Sequence, residues 1–178
     1  MNAMQIRKGL NSDLVRLEYC DFSFTVSQIA TGPFVNNDLK IETLPSVYNK
    51  TYELDIQTLE NHCINPDAIF LIAETDAGQV AGFITASLIW NKFISVDYIA
   101  IERSQRRTGA ANKLMAAAHI WARSMSAAGL KLETQNVNVP ACLFYRNYGF
   151  TLGGYDRYLY SALPEKDEIA LFWYYMLT

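Results

Sequence analysis

From residue 68 to residue 101 three short apolar runs, rich in β-branched and aromatic residues, alternate with turn-forming clusters. Residues 68–74, a turn at Thr75-Asp76-Ala77-Gly78, residues 79–89, a second turn near Asn91-Lys92 and residues 93–101 predict an antiparallel meander. The period then changes from strand to helix. Leu114, Met115, Ala118, Trp121 or Ala122, and Met125 form one apolar stripe, predicting a long core-facing helix over 109–127 that Gly129 ends. Upstream, residues 5–8 predict an opening strand, and Asn11-Ser12-Asp13 caps a helix through Leu14, Leu17 and Tyr19. Ile56, Leu59, Cys63 and Ile64 space a second helix over 54–64, stopped by Asn65-Pro66-Asp67. Downstream, a strand over 130–136 leads to a short helix over 140–148, opened by Pro140 and closed by Gly149; strands over 150–155 and 170–176 follow. Residues 20–52 show no regular period and carry the turn signals Gly32-Pro33 and Asn36-Asn37-Asp38, so an irregular, substrate-facing segment is expected there. The order predicts an α+β fold with a mixed, mostly antiparallel sheet flanked by helices, in a single domain over 1–178.

Two constellations sit at strand-to-helix junctions. The first is Arg106-Arg107-Thr108-Gly109-Ala110-Ala111, after the strand over 93–101. Free amides at a helix start and the helix dipole favour an anion there, small residues allow close approach, and two arginines add charge. The second is Asn138-x-x-Ala141-x-x-Phe144-Tyr145-x-x-x-Gly149-Phe150.

Composition narrows the classes. The chain is 51% hydrophobic and 19% charged, which excludes disorder. No basic, apolar and small-residue leader and no apolar run of about 20 residues is seen, so a cytoplasmic protein without membrane contact is expected. Cys20, Cys63 and Cys142 are scattered and odd in number, as reduced thiols are, and His62 and His119 form no metal pattern. A pI near 5.4 argues against nucleic acid. Charge is unevenly spread: residues 1–101 hold twelve acids against six bases, residues 102–178 six against nine. Chance surface imbalance explains this, and so does a basic half receiving an anionic cofactor while an acidic half attracts a cationic amine.

Asp97 interrupts the apolar strand over 93–101, where a carboxylate is expensive unless paired or used. It is either the base for an amine or a rim residue paired with a basic neighbour. Glu133, in Leu132-Glu133-Thr134-Gln135, is the rival base, or the group that binds a second ammonium. Tyr145 is either a proton donor or an aromatic packing the short helix. The terminal run Phe172-Trp173-Tyr174-Tyr175 is either core or the face of a homodimer.

Together the two constellations resemble the GNAT acetyltransferases, in which an Arg/Gln-x-x-Gly-x-Gly/Ala turn holds the coenzyme A pyrophosphate and an Asn followed by a Tyr serves the pantetheine arm and the thiol. The resemblance implies the GNAT acyltransferase fold with acetyl-CoA as cofactor. It implies a cofactor site formed by Ile99, Ala100, Ile101, Arg106, Arg107, Thr108, Gly109, Ala110, Ala111, Asn138 and Tyr145. An oxyanion would be held by a backbone N–H near Tyr98 and Ile99, where the superfamily carries a strand bulge. Tyr145 would protonate the thiolate. Asp97 stands at the offset where aminoglycoside 6′-N-acetyltransferases and streptothricin acetyltransferases place an acid.

Across residues 90–176 the chain is most similar to the streptothricin acetyltransferases, through Leu132-Glu133-Thr134-Gln135, Asn138-Val139-Pro140-Ala141-Cys142, Tyr145 and Gly149-Phe150-Thr151-Leu152-Gly153-Gly154. Tyr48-Asn49-Lys50-Thr51-Tyr52-Glu53-Leu54-Asp55 is similar to a Tyr-x-Lys-x-Tyr segment of the same enzymes. This implies a substrate site with Tyr48, Tyr52, Asp55, Asp97 and Glu133, and acetyl transfer to the β-lysine amine of streptothricin, giving antibiotic resistance. Arg107-Thr108 stands where Gly-Lys is more usual, and Ala111 where Gly is commoner. An aminoglycoside, a polyamine or a protein lysine or N-terminal amine fits the same charge. A catalytically silent acyl-CoA sensor is the alternative of another class.

Overall fold

The computed structural model describes residues 4–177. In chain order the elements are β1 (Met4–Lys8), α1 (Asn11–Glu18), β2 (Phe24–Thr31), β3 (Lys40–Lys50), α2 (Ile56–Ile64), β4 (Ala68–Thr75) and β5 (Val80–Leu88). They continue with β6 (Phe93–Ile101), a 3-10 turn (Arg103–Gln105), α3 (Ala110–Ser124), β7 (Gly129–Gln135), α4 (Val139–Tyr148), β8 (Thr151–Asp156) and β9 (Ala170–Met176). The chain divides into two compact units. One holds the residues up to Ser23 with Thr51–Leu130 and Leu177, the other Phe24–Lys50 and Lys131–Met176.

In the first unit the strands lie in the order β1-β4-β5-β6, each antiparallel to its neighbour. Val80 to Ala86 on β5 are buried without a break. Successive strand residues face opposite sides, so both faces of β5 are covered. Leu14 and Leu17 of α1 and Leu59 of α2 join Phe70, Ile72, Val80 and Phe83 in one cluster. The stripe of α3, Leu114, Met115, Ala118 and Ala122, is buried as its spacing predicts, and α3 packs on β1, β4, β5 and β6. The expected opening strand and meander are present.

Several helix ends differ from expectation, α2 starting at Ile56 rather than 54. The N-cap of α1 is Leu10, with Asp13 in the first turn accepting from the Leu10 amide at 2.9 Å. Asp13, only 4% exposed, also pairs with both Arg7 and Arg16, and these two arginines reach Glu74 on β4 as well. The α3 helix ends at Ser124 rather than 127, because Met125 caps it and Ser126 turns left-handed at φ 53°. Gly129 instead opens β7.

In the second unit β2 and β3 form an antiparallel hairpin, and β7, β9 and β8 follow one another in a sheet. The hairpin overturns the expectation of irregular chain over 20–52. Strand β3 is exposed along most of its length and contains Pro45, so no apolar alternation marked it. Phe24 and Val26 of β2 pack on Val137, and buried Asn136 ties Ala30 to Ile169 through both ends of its amide. In the terminal aromatic run, Trp173 is fully buried and serves the core. Helix α4 opens with Pro140 and ends at Gly149, where φ 112° is a conformation glycine adopts without cost.

Candidate active site

The chain leaving β6 makes a compact turn before α3. Glu102 caps the 3-10 turn, accepting from the Ser104 amide at 2.8 Å and from the Ser104 hydroxyl. Thr108 Oγ1 closes the next bend by donating to the Gln105 carbonyl at 2.6 Å. Arg107 at φ 65° and Gly109 at φ 91° both lie in the left-handed region. This delivers the start of α3 with no side chain capping it. The first intrahelical bond runs from the Lys113 amide to the Gly109 carbonyl, so the amides of Ala110, Ala111 and Asn112 have no acceptor within the helix. Nothing lies within 4 Å of where a Cβ on Gly109 would stand. Bare donors, an open approach and a positive dipole end are the chemistry a diphosphate needs, and the residues fit acetyl-CoA at this turn.

The Arg106 side chain bonds to the backbone around the turn. Its Nη2 donates to the carbonyls of Ser23 at 2.6 Å and Phe22 at 3.2 Å, and its Nε to that of Ile101 at 3.3 Å. The side chain therefore braces the turn from behind, while Arg107 is exposed. On β6, the Glu102 amide bonds Ala81, which by antiparallel alternation ties Ala100 to Phe83 and turns the amides of Ile99 and Ile101 away from β5.

Asp97 is the extra residue of a β-bulge: Val96 opposes Ala86 and Tyr98 opposes Thr85, leaving no residue of β5 in register with Asp97. The bulge thus falls just before Tyr98 and lifts a carboxylate out of an otherwise apolar strand. Its Oδ2 accepts from His62 Nε2 at 2.8 Å and from Ser87 Oγ at 2.7 Å. Neither partner was visible in the sequence, since His62 comes from α2 and Ser87 from β5. Asp97 is paired, as one of its two readings had it, yet its side chain remains 24% exposed.

In the second unit Glu133 is exposed on β7 and accepts a hydrogen bond from the buried Tyr160 hydroxyl, a partner for which no sequence signal existed. Asn138 caps α4, its Oδ1 accepting from the Ala141 amide at 3.3 Å. Tyr145 is buried on α4 against Phe144, Phe150 and Trp173. Tyr48 stands exposed on β3; partial burial and then the Glu168 charge push its phenol pKa up. Lys50, from the same segment, forms an ion pair with Glu168 at 2.5 Å, both side chains nearly buried. In the first unit Tyr52 is exposed, and Asp55 caps α2, both its oxygens accepting from Thr58. Burial raises all three thiols, Cys142 to about 12, so none is a thiolate nucleophile at neutral pH.

An α+β fold with an uncapped, anion-ready helix start after a bulged strand defines an acyltransferase scaffold, and the sequence matches the Acetyltransferase (GNAT) family over residues 35–150. The chain belongs to that family, with its mixed, mostly antiparallel sheet flanked by helices. It is 39% identical over 98 residues to a streptothricin acetyltransferase of Escherichia coli, a match covering 54% of this chain and 56% of that protein. It is 41% identical over 86 residues to streptothricin acetyltransferase A of Bacillus subtilis (strain 168), covering 48% and 50%. These matches span about half the length of the curated relatives. Among solved structures, nourseothricin acetyltransferase is similar with a TM-score of 0.85 and 30% identity, over 99% of both chains. A structure from Bacillus anthracis str. Ames, assigned as a streptothricin acetyltransferase and holding acetyl coenzyme A, gives 0.87 and 32% over the same shares.

Proposed function

We propose that this chain transfers the acetyl group of acetyl-CoA to a primary amine of a cationic small molecule, with the β-lysine amine of streptothricin as first candidate, and so confers resistance to that antibiotic. The observation that carries the reading is the start of α3, whose bare amides follow a left-handed glycine in a member of an acetyltransferase family. Relatives named for streptothricin and nourseothricin support the choice of amine, as does the excess of acid in residues 1–101.

Acetyl-CoA supplies the thioester. The amides of Ala110, Ala111 and Asn112 take its diphosphate, Arg107 adds an exposed cation, and Arg106 keeps the turn in shape. Asp97 receives the ammonium and draws off a proton so that the nitrogen can attack. The backbone amide of Ile99, next to the bulge and turned away from β5, stabilises the oxyanion. Tyr145 returns a proton to the departing sulfur, and Asn138 fixes the helix that carries it. Glu133, with Tyr48 and Tyr52, is left for a second cationic group of the substrate; Asp55 is assigned to capping α2.

Thiol release from acetyl-CoA tests this directly, with streptothricin, an aminoglycoside, spermidine and a lysine peptide offered separately. Saturable release with streptothricin at the highest kcat/KM is expected. Binding of acetyl-CoA with no release for any amine would overturn it and mark a silent acyl-CoA module.

A further inference from the structure

The two oxygens of Asp97 are unequal. His62 Nε2 and Ser87 Oγ both donate to Oδ2, whereas Oδ1 has no hydrogen-bond partner among the described residues. The ring of His62 is equally constrained. Its Nδ1 lies 2.7 Å from the Thr58 carbonyl and its Nε2 2.8 Å from the carboxylate. Both neighbours are acceptors, so the two bonds coexist only when the ring carries two protons. The side chain is 8% exposed, which fixes this imidazolium between α2 and β6. Among the described residues Asp97 supplies the charge acting on it, and β5 contributes the neutral hydroxyl of Ser87. Hydrogen bonding to Asp97 raises the His62 pKa, and this outweighs burial, which lowers it.

We propose that His62 is a positioning residue for the acetyl acceptor: as an imidazolium it pins Asp97 Oδ2 together with Ser87, and so turns Oδ1 outward to take the substrate ammonium. The inference rests on the reading of Asp97 as the amine-receiving carboxylate. A carboxyl group turns easily about its last bond, and two donors on one oxygen remove that freedom.

The test combines initial-rate kinetics on streptothricin with an NMR titration of the His62 ring, in the wild type, His62→Phe, His62→Gln and Asp97→Asn. Gln at this position donates an N–H toward Oδ2 without titrating. His62→Phe is expected to raise the amine KM about tenfold or more, the scale of one charge-assisted hydrogen bond, with the acetyl-CoA KM held within about twofold. His62→Gln recovers most of the loss, and the ring titrates above 6.5 in the wild type and falls in Asp97→Asn. An unchanged amine KM in His62→Phe while Asp97→Asn is impaired overturns the role of His62 and leaves that of Asp97 standing. A wild-type amine KM in Asp97→Asn overturns the reading of Asp97 itself. A parallel rise in both KM values in His62→Phe, no recovery in His62→Gln, or a wild-type ring pKa at or below 6.5 also overturns the proposal.

Discussion

Arg106 Nη2 donates to the Ser23 carbonyl at 2.6 Å, so the first arginine of the turn is joined to the chain just before β2. The same guanidinium reaches Phe22 and Ile101, three carbonyls that a planar fork serves and a single ammonium does not. Arg106→Ala is expected to lower the melting temperature and to raise the acetyl-CoA KM together, because the shape of the turn is what fails. Arg106→Lys recovers neither. A raised KM with an unchanged melting curve would instead put the side chain on the cofactor.

Gly109 sets the approach to α3. Its φ of 91° is left-handed, and a Cβ there would meet nothing within 4 Å, so Gly109→Ala carries backbone strain alone. A cost of about 1 kcal/mol is expected, relieved in part by rotation of the turn. Chemical denaturation measures the cost, and a rise in acetyl-CoA KM at unchanged amine KM measures the rotation.

The turn and the apolar stripe of α3 could be recognised before any coordinates because both are local: small residues follow an apolar strand, then buried positions recur at helical spacing. The β2–β3 hairpin could not, since β3 exposes most of its side chains and Pro45 masks its pattern. Candidate chemistry divides the same way. Asp97 stood out as a lone acid in an apolar strand, whereas His62 and Ser87 reach it from separate elements that only the fold brings together. Arg106 and Asp55 show the converse, since a position in a matched segment names a residue without showing the local hydrogen bonds its side chain makes.

Asp13 governs the acid limb of stability. Hydrogen bonding from Arg7, against the opposing effect of burial, holds its carboxyl at about 2 instead of the ordinary 3.8. Its folded pKa lies below the unfolded one, so its contribution of about 2 kcal/mol is complete above about pH 4 and is lost as pH falls toward 2. Asp13→Asn is expected to destabilise the protein at neutral pH and to flatten the decline in melting temperature between about pH 4 and 2.

Tyr145 is buried among Phe144, Phe150 and Trp173, so removing only its hydroxyl leaves the packing in place. Tyr145→Phe is expected to lower kcat by about a hundredfold or more, the lower end of the range for a positioned proton donor, with both KM values little changed. A wild-type kcat would leave Tyr145 as a core residue.

The account depends most on what the start of α3 holds, and a crystal structure of the protein with acetyl-CoA measures that directly. The diphosphate is predicted to accept hydrogen bonds from the amides of Ala110, Ala111 and Asn112, in front of Gly109. A diphosphate bound elsewhere, with those amides facing only water, would contradict it.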